Sequence, residues 1–432
     1  MATPKSPVLI VGAGVSGLVL AQYLKKRGIP YRLFERDSNL TTRGIGWGLT
    51  LHWSLPDLQS LLPAALYERL PEAYVDRGAV DRGESSRFPF YDLSTGELKA
   101  ATPKAPHSER IRVTRGRLRK LLATDVHIEW SKSFSSYTLT EDSVTVTFED
   151  GTQAKGCLLV ACDGGQSRVR RALFPDLERY KLPVRTMGLR VEYSPQEMKP
   201  IHAMDPFFMQ AAASENDTFM YFSVLDAPKN HKRRTKTNAK GKAKKRPAPP
   251  RKYSCQLVVS WPSRPGFFGS PEPIEFPATN AGRVELLRTF AQTWAEPFRG
   301  MALGVRGATE IKTLEMYDCV PPKGLRSSGR VVLMGDAMHQ MTMYRGEGAN
   351  HAIVDVQDFA RSVADVLLQP DASTGDLRDA LDKYEDAVVD RSRPGVLAAR
   401  RACLDAHEWG RIDEKSPLLT RRAMKLDIEY DC

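Results

Sequence analysis

The sequence lacks a disulfide framework. Its six cysteines, at 157, 162, 255, 319, 403 and 432, are scattered and include no C-x-x-C pair. That excludes the stapled small folds of secreted proteins and fits reduced thiols in a cytoplasmic protein. No run of about eighteen apolar residues occurs, so no transmembrane helix is expected. The opening "MATPKSPVLIVGAGVSGLVLA" is broken by glycines and lacks the layout of a signal peptide. There is no internal repeat, and no metal-ligand set is assigned. Acidic residues are absent from 229–252, "KNHKRRTKTNAKGKAKKRPAPPRK", which holds twelve Lys or Arg. The formal net charge of +11 therefore belongs to one segment, because the rest of the chain carries 51 basic and 52 acidic residues. The segment reads as a long disordered loop between two strands of one sheet. It also resembles a nuclear-import signal or a polyanion-binding patch. Aromatic residues for base stacking are missing apart from Tyr253 at its edge, so nucleic acid is not the expected partner.

What is present is a chain of 432 residues, 41% hydrophobic, long enough for two to four domains. Residues 8–36 read as strand, turn, helix and strand. "VLIV" is a buried strand, "GAGVSG" a turn, and 16–27 a helix stopped by Gly28 and Pro30, followed by "YRLFE". Val144, Val146 and Phe148 alternate ahead of "EDGT", which predicts a hairpin. Residues 186–193, 219–225 and 254–261 read as strands of another sheet. Ala349, Ala352, Ile353, Val356, Ala360, Val363 and Leu367 share one face of a helix over 349–369, and the charged tail beyond about 376 reads as further helices.

Gly12, Gly14 and Gly17 lie between the first strand and helix, with Glu35 ending the second strand. Gly12 permits the tight turn, Gly14 lets backbone approach a diphosphate, and Gly17 lets helix and strand pack closely. The helix N-terminus offers free N–H groups to the phosphates, and Glu35 can accept from ribose hydroxyls. This pattern does not distinguish FAD from NAD.

Three later stretches do: "VTRGRLRKLL" (113–122), "CDGGQSRVRRAL" (162–173) and "GDAMHQMTMYRGEGAN" (335–350). With the glycine turn, their order and spacing resemble the group A flavoprotein monooxygenases, a class that includes para-hydroxybenzoate and salicylate hydroxylases and many fungal secondary-metabolite enzymes. The resemblance covers about residues 8–370. It implies an α/β fold. A discontinuous Rossmann-like FAD-binding domain (1–75, 104–180 and 285–369) would be joined by a mixed-sheet substrate domain (76–103 and 181–284) and a helical cover (370–432).

The resemblance also implies that Glu35 and Arg36 hold the adenosine end of FAD. Arg115 would meet the diphosphate, Gly48 would let backbone pass the flavin, and Asp336 would bond the ribityl chain or ribose. Asp163, supported by Ser167 and Arg170, would serve FAD and NADPH or NADH together; a surface ion pair is the other reading of Arg170. Gly348, Ala349 and Asn350 begin a helix, whose free N–H groups and partial positive charge suit the anionic reduced flavin. The implied cycle is reduction of FAD by NAD(P)H, addition of O2 at flavin C4a, and transfer of one oxygen to a small aromatic or polycyclic substrate.

For catalysis the candidates are Arg190, in "TMGLRVEY", and Tyr221, in "MYFSV". Arg190 could anchor a carboxylate or phenolate or donate a proton, or instead pair with Glu192 on a solvated face. His339 reads as catalytic or as a histidine packed against backbone; His52 and Trp53 are similarly open. Gln340 and Met343 stand where the family has prolines, which puts control of the oxygenating flavin in doubt. A flavin oxidase or reductase on the same fold would share these motifs, and a nucleic-acid-associated module is the reading from another class. The W-x-W-x-I-P motif of flavin halogenases is absent.

Overall fold

The structure, a computed structural model, describes residues 6–44, 46–228, 252–427 and 429–431. The basic segment 229–252 lies outside the described residues, apart from Lys252. Among the described residues no helix is long and apolar enough to cross a membrane.

Four short strands form a parallel sheet in the order Val331–Leu333, Leu158–Ala161, Val8–Val11, Tyr31–Phe34. Val8 pairs with both Leu158 and Tyr31, so the three strands end level. Val8–Val11, Leu158–Ala161 and Val331–Leu333 are buried throughout, as expected for parallel strands covered on both faces. Their carboxyl ends run into the turns at Gly12, Asp163 and Gly335. That edge is where open α/β sheets bind ligands. The helix Val15–Arg27 follows the first turn and stops at Gly28, whose φ of 69° closes it.

The second sheet has seven strands, in the order Ile311–Asp318, Tyr180–Tyr193, Tyr253–Pro262, Phe219–Asp226, Phe208–Ala212, Phe90–Asp92, Leu98–Ala100. Only the pairing of Phe208–Ala212 with Phe90–Asp92 is parallel. A two-stranded ladder, Gly48–Leu51 against Ile111–Thr114, lies between the two sheets in sequence, and the predicted hairpin is Val144–Phe148 with Gln153–Gly156.

The apolar residues fall into two cores, one around each large sheet. The expected seam at 285 needs correction. It falls inside the helix Asn280–Ala291, and residues through Ile311 pack into the second core. Strand Ile311–Asp318 also joins the second sheet, pairing with Tyr180–Tyr193. The expected long helix is interrupted. Gly348–Ser362 ends at Val363 and Ala364–Leu368 follows. The tail opens with one long helix, Thr374–Asp405, which begins in the first core and ends in the second, and the short 3-10 helix Trp409–Arg411 follows it.

Gly17 explains its own identity. A Cβ there would lie 2.0 Å from the carbonyl oxygen of Gly12. Gly17→Ala is expected to cost about 1–3 kcal/mol through overpacking, read as a lower thermal midpoint; an unchanged midpoint would show that the turn can relax.

Candidate active site

A cavity of about 510 Å³ is walled by the carboxyl edge of the parallel sheet and one face of the second sheet. Ten of the twelve residues expected to hold a cofactor line it: Gly12, Gly14, Glu35, Arg36, Gly48, Arg115, Asp163, Asp336, Gly348 and Ala349. Gly17 and Asn350 stand behind the wall.

At the glycine-turn end, a Cβ on Gly14 would meet nothing within 4 Å, so backbone there faces open space. Glu35 is more occupied than expected. Its Oε2 accepts the Ala13 N–H at 2.9 Å and Arg119 Nη2 at 3.2 Å, and its Oε1 accepts the Asp37 N–H. It therefore braces the glycine turn as well as facing the cavity. Sequence reading missed Arg119, which is buried and donates to the Ala13 carbonyl at 2.7 Å. Arg36, Arg43 and Arg115 add positive charge to this wall. Burial lowers the Arg115 pKa, an effect that a bound diphosphate would oppose.

Beside the next strand, Asp163 Oδ2 accepts the Arg168 N–H at 2.8 Å, whereas its Oδ1 has no partner. Burial raises this carboxyl. Arg170 is not a surface ion pair. It is buried and donates to the carbonyls of Ala337 and Gly165, at 2.8 and 2.6 Å, and so clamps the two turns together. Ser167 caps the short helix that carries it. Asp336 is deep in the molecule, and its free surface opens on the cavity; burial raises its pKa, with His339 and Arg115 opposing.

The helix Gly348–Ser362 starts at the cavity, so its first N–H groups face it without intrahelical acceptors. Asn350 needs correction as a direct ligand. Its Oδ1 accepts from the His52 N–H and Ser54 Oγ, and its Nδ2 donates to the Thr50 carbonyl. It fixes the segment after Gly48–Leu51 against the helix start. His339 is packed, but against a side chain. Its Nε2 lies 2.7 Å from Asp355 Oδ2, and both residues are fully buried.

At the opposite end, Arg190 is displaced from the role expected of it. Its side chain is exposed, bonds Ser254 Oγ at 2.6 Å, and is not part of the cavity wall. The buried arginine at this end is Arg112. It donates to Thr50 Oγ1, the Tyr221 hydroxyl and Ser223 Oγ, and its Nε has no partner. No carboxylate pairs with it among the described residues, and burial lowers its pKa. Tyr221 lines the cavity as expected. Gly48 has a specific reason here. A Cβ would lie 2.3 Å from Arg112 Nη2, and its N–H donates to Gln256 Oε1. Phe88, Phe208, Val258 and Leu314 supply apolar wall. Arg112 escaped notice because nothing in "RIRVTRGR" distinguishes it from an outward-facing strand arginine.

Gln340 has φ −52° and ψ 131°, a backbone conformation that proline shares. Its side chain lies over Gly165, where a Cβ would come within 2.4 Å of it. Met343 lines the cavity and packs on the second core.

A glycine-turn parallel sheet, a cavity with carboxylates at the strand ends among more numerous arginines, and a helix start aimed into it define a dinucleotide-binding flavoprotein. Family models agree, with an FAD binding domain matching residues 323–392 and an NAD(P)-binding Rossmann-like domain matching 10–46. A probable FAD-dependent monooxygenase of Arthroderma benhamiae is 40% identical over 98% of this chain and 97% of its own. The FAD-dependent monooxygenase dbaB of Emericella nidulans is 38% identical over 88% of this chain and 92% of its own. The chain belongs to the FAD-dependent monooxygenases, among relatives of the fungal secondary-metabolite type. In fold it is similar to 2,6-dihydroxypyridine-3-hydroxylase from Arthrobacter nicotinovorans, with a TM-score of 0.71 and 18% identity over 97% of each chain.

His52, beside this site, is held neutral. Burial, then Arg422, Arg110 and Arg345, push its pKa down to about 3. The unfolded chain binds a proton below about pH 6.5 that the folded chain refuses. This contribution is complete above that pH and falls by about 1.4 kcal/mol per pH unit on acidification toward the folded value. His52→Phe should therefore lose less stability than the parent between about pH 7 and pH 5 in urea melts. Parallel curves would show that His52 titrates normally.

Proposed function

We propose that the protein uses NADPH or NADH and O2 to place one oxygen atom on a small planar organic substrate, by hydroxylation or epoxidation. The observation that carries this reading is the continuity of one cavity from the glycine turn to Arg112 and Tyr221. The residues fit FAD. Gly14 leaves open space for a diphosphate, Asp163 Oδ1 is an orphaned buried acceptor suited to a hydroxyl, and Asp336 presents a carboxylate to the cavity.

FAD, when bound, supplies acceptance of a hydride from NAD(P)H and activation of O2. The chain's part is binding, orientation and exclusion of water. The glycine turn and Arg115 would hold the diphosphate, and Glu35 keeps the turn in shape; the N-terminus of Gly348–Ser362 would face the ring and favour negative charge there. Arg112 and Tyr221 hold an acidic hydroxyl or enol oxygen of the substrate, Arg112 stabilising its ionised form. The apolar wall excludes water. No separate nicotinamide domain is proposed, so the reductant binds transiently near Asp163. The buried free cysteines at 162, 255, 319 and 403 fit a reducing, cytoplasmic setting.

The purified protein is expected to be yellow and to oxidise NADPH faster when its substrate is present. A colourless protein that takes up no FAD would refute the reading. Arg112→Met should keep its flavin and lose roughly 10- to 100-fold in kcat/KM, the scale of a lost charged hydrogen bond. Retention of full kcat/KM would remove Arg112 from the site.

Met343 in place of proline is proposed to loosen control of O2 chemistry, because its side chain is flexible and oxidisable where a rigid ring would shape the wall. Met343→Pro should lower the fraction of NADPH oxidation that ends as hydrogen peroxide. An unchanged fraction, measured by peroxide assay against product formed, would make the substitution a local backbone variation.

A further inference from the structure

Arg345, inside the 335–350 stretch, has no part in the flavin reading, yet it is almost fully buried. Its Nε donates to Glu347 Oε2 at 2.6 Å. Its other nitrogens reach into the C-terminal segment, to the Pro417 carbonyl, Thr420 Oγ1 and the Arg421 carbonyl. Leu418 is buried in the second core, and Ser416 Oγ bonds Asp405. The tail beyond the last long helix is thus tied down as a strap, and the next residue along it, Arg422, enters the cavity wall.

Arg422 has donors directed only at backbone. They reach the carbonyls of Leu418, Thr420 and Arg345, at 3.1, 3.3 and 3.4 Å. No carboxylate pairs with it among the described residues. Glu347, the acid that favours its charge, already has one oxygen on Arg345 and the other on Trp53 Nε1. Burial, then Arg345 and Arg110, lower its pKa to about 10, so it stays charged at neutral pH in a place that disfavours charge. Its guanidinium lies 5.1 Å from the centre of the Phe88 ring. Phe88 stacks edge-on against Phe208 at 4.6 Å, and Arg112 lies 5.2 Å from the centre of Phe208. The aromatic pair therefore carries Arg422 and, at 4.5 Å, Arg110 at its Phe88 end and Arg112 at its Phe208 end, and neither Arg112 nor Arg422 has an acidic partner among the described residues. A buried unpaired cation is costly. Arg112 is such a cation and Arg422 is half-buried in the same wall, so together they favour negative charge in whatever occupies the cavity.

We propose that the substrate is a planar organic acid with two acidic oxygen groups, one held by Arg112 and Tyr221 and a carboxylate held by Arg422 on the C-terminal strap. This rests on the flavin monooxygenase reading and adds the substrate's charge to it. Arg422 is the specificity residue, and Arg345 positions it through the strap.

The test uses the full-length, FAD-loaded protein and three probes: 2,4-dihydroxybenzoate, its methyl ester, and 1-hydroxy-2-naphthoate. Binding is read from the change in flavin absorbance. The acids should bind roughly tenfold or more tightly than the ester, the scale of one charge-assisted hydrogen bond. Arg422→Gln should erase that preference by weakening the acids and leaving the ester and the flavin content unchanged. Arg422→Lys should restore part of it. A strap that merely stabilises the fold predicts equal losses for acid and ester, which would overturn the assignment. So would equal binding of acid and ester to the parent, an undiminished preference in Arg422→Gln, or failure of both acids to perturb the flavin at millimolar concentration. Protein that carries no flavin refutes the monooxygenase reading instead, so the two failures are distinguishable.

Discussion

Everything around the cavity depends on the carboxylate of Asp355. One of its oxygens accepts the Gly335 N–H at 2.6 Å and lies 2.7 Å from His339 Nε2; the other accepts from Arg391. Four pieces of chain meet on one side chain: the turn after Val331–Leu333, the short helix Asp336–His339, the helix Gly348–Ser362 and the long helix Thr374–Asp405. Burial would raise this carboxyl's pKa. His339 and Arg391 more than offset that and hold it well below the usual carboxylate range. Such a group adds little net stability compared with an apolar replacement, but its geometry is directional. It fixes where Asp336 and the helix start at Gly348 face the cavity.

The second constraint is that the cavity separates two apolar cores. Each core is fixed by its own sheet, and the segments between them are held by directed hydrogen bonds. Arg170 clamps two turns, Asn350 ties the His52–Ser54 segment to a helix start, and Arg345 straps the tail. These side chains spend their donors on backbone carbonyls or on one another. Arg112 and Arg422 differ in having no acidic partner among the described residues: Arg112 donates to hydroxyls and Arg422 to backbone carbonyls, and both line the cavity. The electrostatic character of the substrate end follows from that contrast.

The glycine turn, the acid after the second strand and the two later aspartates were legible because each is local: a strand, a tight turn and a helix start succeed one another within a few residues. Their chemistry follows from backbone N–H groups and φ angles that the nearby sequence sets. Arg190 misled because period-two alternation identifies the face of a strand and not how far along that face the cavity extends. It shares a sheet with Gln256 and Val258, its neighbours on the paired strand, but projects beyond the wall they form. Asn350 misled for a related reason, since a helix start shows which N–H groups are free but not which side chains other loops have already claimed.

The sequence by itself determined the parallel sheet, the glycine turn and the location of its excess charge in one segment, which rest on spacing along the chain and on composition; the flavin class came through the family resemblance that its later motifs carry. Only the tertiary structure decided which arginines lack acidic partners. Arg112 and Arg422 are 310 positions apart, and neither differs in its local sequence from an arginine on a solvated face. Packing against Phe88 and Phe208 makes them a pair, and such packing is a property of the folded chain.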